Sequence, residues 1–338
     1  HPSVVKGRAG SPYAIADYYD IDPDLAEDVA RRMEEFRALV RRTHEAGLKV
    51  IIDFVPNHVA REYRSICKPQ GVRDLGQDDD TSKHFDPQNN FYYCPGASLE
   101  PAFDLEDYEE RPARCTGNDC FHPYPGVNDW YETVKLNYGV DYTGGGSHHF
   151  DPIPSTWTKM VDILLFWAAE GVDGFRCDMA MSLVKNDDRN HTATVRLWHE
   201  MREWIDARYP ECILISEWSQ PGEAIPAGFH VDLIIHNGAG YDMYSPLVCN
   251  TDDKNRPTVC YFDRAGEGQI RSFVDRYTKE RHATREQGYL SMPTCSHDIW
   301  RLNRNQRNTP EELKVTMTFF LLMSWIPTVY YGEEIGMR

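Results

Sequence analysis

The chain has 338 residues, of which 26% are charged and 41% are hydrophobic, so it can bury a large core and is neither a disordered tail nor a small disulfide-stabilised module. Its 53 acidic and 36 basic residues give a net charge of −17, which repels phosphate backbones and anionic headgroups. We therefore expect no nucleic-acid partner, and no membrane insertion, because the apolar runs fall short of the ~20 residues that span a bilayer.

The first predicted elements are a helix and a strand. Between Asp24 and Ala46, apolar residues recur at spacings of three and four, which is the pattern of an amphipathic helix. The run from Leu48 to Val55 is β-branched and bounded by Gly47 and Pro56. This run predicts a strand that is buried on both faces.

The stretch from Asn57 to Asp151 shows no alternation of strands and helices. It is rich in Asp, Asn, Gly and Pro, and it is far longer than an ordinary loop. We expect a small inserted domain here, residues 57–151, after the third strand of a barrel.

Strands and helices alternate again in the second half of the chain. The predicted elements are, in order, strand 172–177, helix 194–208, strands 213–216 and 231–235, helix 269–279, strand 289–295, helix 311–325 and strand 328–331. Strands that alternate with helices indicate a parallel sheet, and this many units in series favour an α/β fold of the (β/α)8 TIM-barrel type.

The nine cysteines bear on the redox compartment. Three pairs lie in polar, loop-like sequence where disulfides would form easily: Cys67 and Cys94, Cys115 and Cys120, and Cys249 and Cys260. The pattern slightly favours an oxidising compartment, periplasmic or secreted, over the cytoplasm.

Polar side chains lie near the carboxyl ends of four predicted strands. They are, in chain order, Asp53, Asn57, His58, Arg176, Asp178, Glu217, His297 and Asp298. One such Asp alone is usually a turn residue or a helix cap. Their coincidence at four strands predicts an active site, because the carboxyl ends of barrel strands face one mouth.

The segments around these residues resemble four short regions of the α-amylase family, glycoside hydrolase family 13. The segments are DFVPNH at 53–58, GFRCD at 174–178, ISEW at 215–218 and SHD at 296–298. The resemblance implies that residues 1–56 run from the loop before the third barrel strand through that strand, and that residues 152–338 run from the third helix through the eighth strand. It also implies that the first two strands and the family's C-terminal β-domain are absent from this chain.

The resemblance further implies a retaining α-glycoside hydrolase that acts on α-1,4-linked glucans or malto-oligosaccharides through a covalent glycosyl-Asp intermediate. By match to the motifs, Asp178 is the nucleophile and Glu217 is the acid/base. Asp298 would stabilise the oxocarbenium-like charge. Retention of configuration needs the first two carboxyl groups to lie ~5–5.5 Å apart.

Four residues are implied to bind the substrate: Tyr13, His58, Arg176 and His297. Arg176 stands two residues before Asp178 on the same face of a strand, where it can hold that carboxylate ionised and oriented. Tyr13 matches the aromatic residue on which the glucosyl ring stacks. An ordinary packing tyrosine is the alternative for Tyr13.

No cofactor is expected, and a structural calcium ion is disfavoured. Many family members bind calcium between the inserted domain and the barrel, and Asn57 matches one ligand position. Lys135 and Ser182 stand at two others, and an ammonium group disfavours a divalent ion beside it. We therefore expect the Lys135 ammonium to contact the region of Asn57 in place of the metal.

Two other functions stay open. A transglycosylase or isomerase of the same family, similar to trehalose synthase, shares the covalent intermediate and differs in what intercepts it. A catalytically inactive member could act as a binding subunit. The presence of Asp178, Glu217 and Asp298 argues against the inactive member.

Overall fold

The computed structural model describes residues 4–5, 10–105, 108–235, 238–249, 259–285, 287–304 and 307–338. The chain divides into two compact units, residues 1–213 and 214–338. Over the described ranges, none of the helices has both the length and the hydropathy needed to cross a bilayer.

The described helices and strands are numbered here along the chain. The helices are α1 (Arg32–Glu45), α2 (Ser155–Ala169), α3 (Thr192–Asp206), α4 (Pro221–Ala224), α5 (Ala239–Val248), α6 (Arg271–Ala283) and α7 (Pro310–Leu322). The strands are β1 (Ile51–Phe54), β2 (His58–Ala60), β3 (Tyr93–Cys94), β4 (Ala113–Arg114), β5 (Thr133–Lys135), β6 (Val140–Asp141), β7 (Ser147–His148), β8 (Gly174–Cys177), β9 (Ile213–Glu217), β10 (Val231–Leu233), β11 (Tyr289–Pro293) and β12 (Ile326–Thr328).

The first predicted helix is shorter than expected. Two 3-10 turns, Pro23–Leu25 and Val29–Arg31, precede α1. Asp22 and Asp28 each accept a hydrogen bond from the backbone amide two residues further on. Such side-chain caps compete with a continuous helix, so the prediction of a helix from Asp24 was wrong over its first eight residues.

The first predicted strand is present but is not buried on both faces. β1 pairs in parallel with β8, and Asp53 lies opposite Arg176 in the register. Phe54 is buried, whereas Ile51 is 41% exposed. Among the described residues β8 is the one strand that pairs with β1, so the other edge of β1 lacks a neighbour whose side chains would cover it. The prediction of two buried faces was therefore wrong.

Helix α2 is the apolar centre of the first unit. Its buried residues include Trp157, Met160, Ile163, Leu164 and Trp167. The indole of Trp157 donates to the carbonyl of Tyr138 at 3.2 Å, and that of Trp167 donates to the carbonyl of Tyr18 at 2.7 Å. The large side chains are thus buried with their polar atoms hydrogen-bonded.

Residues 57–151 contain short antiparallel pairs in place of the alternating pattern. The three two-stranded sheets are β2 with β5, β3 with β4 and β6 with β7. Along the chain, the two compact units meet between residues 213 and 214, which is not a boundary of the expected inserted domain. The inserted domain and its boundaries therefore stay a prediction.

A buried ion-pair cluster stabilises this region. The Arg61 guanidinium, with a side chain that is 0% exposed, donates to Glu110 at 2.6 Å. Arg114 donates to the other oxygen of Glu110 at 2.7 Å. Burial raises the pKa of Glu110, but the two guanidinium groups act more strongly together and lower it below its usual value. Glu110 is therefore a buried anion held between two cations.

The second unit contains a parallel sheet in the order β9, β10, β11, β12. Its core joins α5, α6 and α7 to these strands through a cluster of apolar side chains that includes Met243, Leu247, Phe273, Met292, Phe320 and Trp325. Helix α5, which contains Pro246, was not predicted from the sequence. The last strand was predicted at 328–331, whereas β12 begins at Ile326 and ends at Thr328.

One of the three cysteine pairs is bonded. A disulfide joins Cys249 and Cys260. Cys67, Cys94, Cys115 and Cys120 are free thiols. Cys94 and Cys115 pack in one apolar cluster near the β3–β4 pair.

We predict that Glu110→Gln lowers the free energy of unfolding by about 3–5 kcal/mol, because it leaves the buried Arg61 guanidinium and the partly buried Arg114 guanidinium without their anion. The control is Glu200→Gln, which removes the anion of the surface pair with Arg196 and is expected to cost less than about 1 kcal/mol. Denaturant unfolding of the three proteins measures both values. Equal losses for the two variants would contradict the stabilising role of the cluster.

Candidate active site

The first unit gathers polar groups around the ends of β1 and β8. Arg176 donates through one nitrogen to Asp178 Oδ1 at 2.8 Å and to both oxygens of Asp53 at 2.9 Å. The parallel register makes this possible, since Asp53 and Arg176 lie opposite each other. One guanidinium therefore bridges the two carboxylates.

Asp178 follows directly after β8 and is buried. Its backbone amide donates to the carbonyl of Phe54 at 2.8 Å, which continues the pairing of the two strands past the end of β8. Met179 then adopts a left-handed conformation, with φ of 48°, and begins a 3-10 turn. The sharp turn and the bond from Arg176 fix the position of the Asp178 side chain.

Tyr13 stands beside this ion pair. Its hydroxyl donates to Asp53 Oδ2 at 3.1 Å, and the centre of its ring lies 5.9 Å from the carbon of the Arg176 guanidinium. Burial and the charge of Asp53 raise the pKa of Tyr13 above its usual value, so the hydroxyl keeps its proton. The aromatic ring therefore lies next to Arg176 and Asp53, and its role in stacking on a sugar stays a prediction.

His58 is buried at the start of β2. Its Nδ1 lies 2.9 Å from Asn57 Nδ2, its ring centre lies 5.4 Å from that of Trp130, and its imidazole also hydrogen-bonds to the backbone of Tyr13. Burial, aided by the positive charge of Lys135, lowers the pKa of His58 to about 4. His58 is therefore neutral near pH 7 and ties Asn57 to the loop that carries Tyr13.

Lys135 makes the contact that the sequence predicted. Its side chain is fully buried, and its ammonium donates to Asn57 Oδ1 and lies 3.4 Å from Asp119 Oδ1. Lys185 is 2.9 Å from the other oxygen of Asp119. Burial lowers the pKa of Lys135 to about 8, with Asp119 acting in the opposite direction. Asn57, Asp119 and the two lysines thus form one connected polar group.

This arrangement does not fit a divalent ion. The Asn57 oxygen that would coordinate a metal accepts a hydrogen bond from an ammonium instead. At the third expected ligand position, Ser182 Oγ donates to the carbonyl of Met179 at 3.0 Å. A calcium ion beside Lys135 would meet a positive charge in a buried place, where the repulsion is strong.

The second unit carries Glu217. This residue ends β9, is buried, and lies opposite Leu233 of β10 in the register. The indole of the next residue, Trp218, is also fully buried, and its nitrogen lies 3.4 Å from Glu223. Buried groups thus surround the backbone that carries the Glu217 carboxyl group.

His297 and Asp298 lie in a loop and not directly at a strand end. The strand predicted for 289–295 ends at Pro293, and the Thr294 amide donates to the carbonyl of Thr328 at 2.9 Å, one residue past the paired residues of β11 and β12. His297 Nε2 lies 3.5 Å from Asp298 Oδ2, and the two side chains are 46% and 44% exposed. Both groups are accessible to a ligand.

Asp178 belongs to the first unit, and Glu217 and Asp298 belong to the second. Each unit therefore positions its own residues, as described above. The joint action of these three residues on a single bond stays a prediction.

Two acidic residues were not selected as site residues from the sequence. Asp53 was noted at a strand end, but its bonds to Arg176 and Tyr13 depend on strand register. Asp232 lies in the middle of the apolar strand β10 and is fully buried. The sequence could have indicated Asp232, because it is an acid within a run of valine, leucine and isoleucine and buried carboxyl groups are rare without a partner.

Comparison with known proteins gives a consistent picture. A sequence model of the α-amylase family, described as "Alpha amylase, catalytic domain", matches residues 4–108 and 152–338. Alpha-amylase 3 from Dictyoglomus thermophilum is 25% identical over 96% of this chain and 54% of its own length. Trehalose synthase/amylase TreS from Mycobacterium tuberculosis is 22% identical over 96% of this chain and 53% of its own.

The chain spans about half the length of the curated relatives it matches. Among solved structures, the α-amylase from H. orenii superimposes with a TM-score of 0.64 at 21% identity, over 99% of this chain and 59% of that one. At this identity the likeness shows the fold, and the predicted TIM-barrel class is confirmed at that level. By its sequence match and its fold, the chain belongs to the α-amylase family.

Proposed function

We propose that the chain is the catalytic part of a retaining α-glycoside hydrolase that acts on α-1,4-linked glucans or malto-oligosaccharides. The observation that carries the proposal is the Arg176 guanidinium that joins Asp178 to Asp53 at 2.8 and 2.9 Å. A buried carboxylate held by a cation, in a chain of this family, suits a nucleophile that must stay in place during attack. The similarity to Alpha-amylase 3 from Dictyoglomus thermophilum supports the substrate class.

In the proposed mechanism, Asp178 attacks the anomeric carbon while Glu217 gives its proton to the departing glycosidic oxygen. The bond from carbon to the leaving sugar breaks, and an ester bond to Asp178 forms. Glu217, now a carboxylate, takes a proton from water, and the water oxygen replaces the ester. Asp298 stabilises the positive charge that develops on the sugar ring.

Substrate binding is proposed for the surrounding side chains. Tyr13 offers a ring face for the apolar side of the sugar. His58, which is neutral near pH 7, and the exposed His297 would form hydrogen bonds with sugar hydroxyls. Arg176 acts mainly by holding Asp178.

A transglycosylase or isomerase is the second candidate, because a matched relative is called a trehalose synthase/amylase. This enzyme would use the same Asp178 ester and would differ only in the group that intercepts it. Analysis of the products from maltoheptaose, by the whole protein, separates the two. Shorter malto-oligosaccharides indicate hydrolysis, and isomers or longer chains indicate transfer.

We predict that Asp178→Asn abolishes turnover of malto-oligosaccharides in the whole protein while the melting temperature and sugar binding stay close to those of the wild type. The amide keeps the shape of the carboxylate but cannot form the glycosyl ester. Steady-state kinetics, calorimetric melting and titration with maltoheptaose measure the three quantities. Measurable turnover by this variant would rule out Asp178 as the nucleophile.

Glu217→Gln is expected to lower turnover of malto-oligosaccharides by about 10²–10⁴-fold, the usual contribution of a general acid. The loss should be much smaller on an α-glucosyl fluoride when azide is present. Fluoride leaves without protonation, and azide attacks the ester without a general base. A loss that is equal on both substrates would contradict the acid/base role.

We also propose that the Lys135 ammonium replaces the family's structural calcium. Treatment with a chelator should then leave activity and melting temperature unchanged. Lys135→Met should instead lower the melting temperature, because Asn57 Oδ1 loses a buried hydrogen-bond donor, at a cost of about 1–3 kcal/mol, and Asp119 loses the cation of its ion pair. A fall in melting temperature on chelation of the unmodified protein, reversed by added calcium, would show that a metal site exists.

A further inference from the structure

Asp232 of β10 accepts hydrogen bonds from one side chain and two backbone amides close to Glu217 in the sequence. One of its oxygens, Oδ1, accepts hydrogen bonds from Ser216 Oγ at 2.7 Å, from the Trp218 amide at 3.1 Å and from the Ser219 amide at 3.2 Å. The parallel register makes this possible, since Asp232 lies opposite Ser216. The three donors belong to the residue before Glu217 and to the first and second residues after it.

The turn that follows Glu217 belongs to neither β9 nor α4. Ser219 has a left-handed backbone, with φ of 57°, and α4 begins only at Pro221. Ser219 Oγ donates to the carbonyl of Leu233 at 3.2 Å and accepts from the Ile235 amide at 2.8 Å. The turn is therefore tied to β10 and the residues after it by a set of bonds in which Asp232 supplies the central acceptor.

Asp232 is costly to bury, so packing alone does not explain it. The residue is 0% exposed, and its Oδ2 has no hydrogen-bond partner among the described residues. Burial raises the pKa of Asp232 to about 8, although the hydrogen bonds from Ser216 and from the amides of the turn act in the opposite direction. An unsatisfied buried polar atom costs about 1–3 kcal/mol.

We propose that Asp232 is a positioning residue that fixes the backbone on both sides of Glu217 and so directs the Glu217 carboxyl toward the glycosidic oxygen. The inference rests on the acid/base role proposed for Glu217. Proton transfer in the transition state is sensitive to geometry, and a displacement of about 1 Å can cost 10²-fold in rate. Loss of the Asp232 acceptor frees two backbone amides and one hydroxyl next to the acid/base.

The test compares two substrates in the whole protein. Maltoheptaose needs both the acid and the base function of Glu217, whereas α-maltosyl fluoride with azide needs neither. We expect Asp232→Ala to lower kcat on maltoheptaose by about 10²-fold. The same variant should keep kcat on the fluoride with azide, and KM on both substrates, within about threefold of wild type.

Two further variants complete the test: a control that loses other buried hydrogen bonds, and a conservative substitution of Asp232. Ser291→Ala removes a hydroxyl on β11 that bonds to Ile326 O at 2.8 Å and to Thr328 Oγ1 at 2.7 Å, away from the turn after Glu217. It reports the general effect of losing buried hydrogen bonds in this sheet. Asp232→Asn keeps one oxygen for the same three donors and should recover at least tenfold of the loss on maltoheptaose.

Three outcomes would overturn the inference. They are an equal loss on both substrates by Asp232→Ala, no loss on either, and the same selective loss by Ser291→Ala. If Asp232→Ala does not fold, as judged by calorimetric melting, Ser216→Ala replaces it, because it removes one of the three donors and no charge. Ser216→Ala should then show a selective loss on maltoheptaose of at least threefold, and no selective loss would overturn the inference.

Glu217→Gln, measured beside these variants, separates the inference from the proposed function. If Glu217→Gln itself shows no selectivity for maltoheptaose, the acid/base assignment fails. If Glu217→Gln is selective and Asp232→Ala is not, only the role of Asp232 fails.

Discussion

The candidate site in the first unit depends on one bridging cation, Arg176. Parallel pairing of β1 and β8 puts Asp53 opposite Arg176, and the residue two places further on is Asp178. Without the guanidinium, two carboxylates on neighbouring strands would repel each other. The same guanidinium faces the ring of Tyr13, so one side chain links strand register, charge balance and the aromatic surface.

Buried cations play a comparable part in residues 57–151. The strands there are only two or three residues long, so the sheets supply few backbone hydrogen bonds. Arg61 with Glu110, and Lys135 with Asn57 and Asp119, connect segments that lie far apart in the sequence. Glu110, Asp119 and Lys135 lie in residues 109–151, which the family model does not match.

The two carboxyl groups proposed for catalysis are supported in different ways. Asp178 is held directly through an ion pair with Arg176. The backbone around Glu217 is held instead by Asp232, a buried carboxyl group whose raised pKa leaves it mostly protonated near pH 7. A fixed cation suits a nucleophile that attacks as a carboxylate.

The sequence by itself determined the family, most of the alternating strands and helices, and the motif residues Asp178, Glu217 and Asp298. These features are local: a motif spans a few residues, and apolar periodicity is set within one element. It also suggested the contact between Lys135 and Asn57, through the charge change at an expected ligand position. The bridge from Arg176 to Asp53 and the bonds from Asp232 to the turn after Glu217 were decided only by the tertiary structure. Both depend on which residues of two separate strands lie opposite each other, and that register is set by packing of the whole sheet and is not encoded in either strand alone.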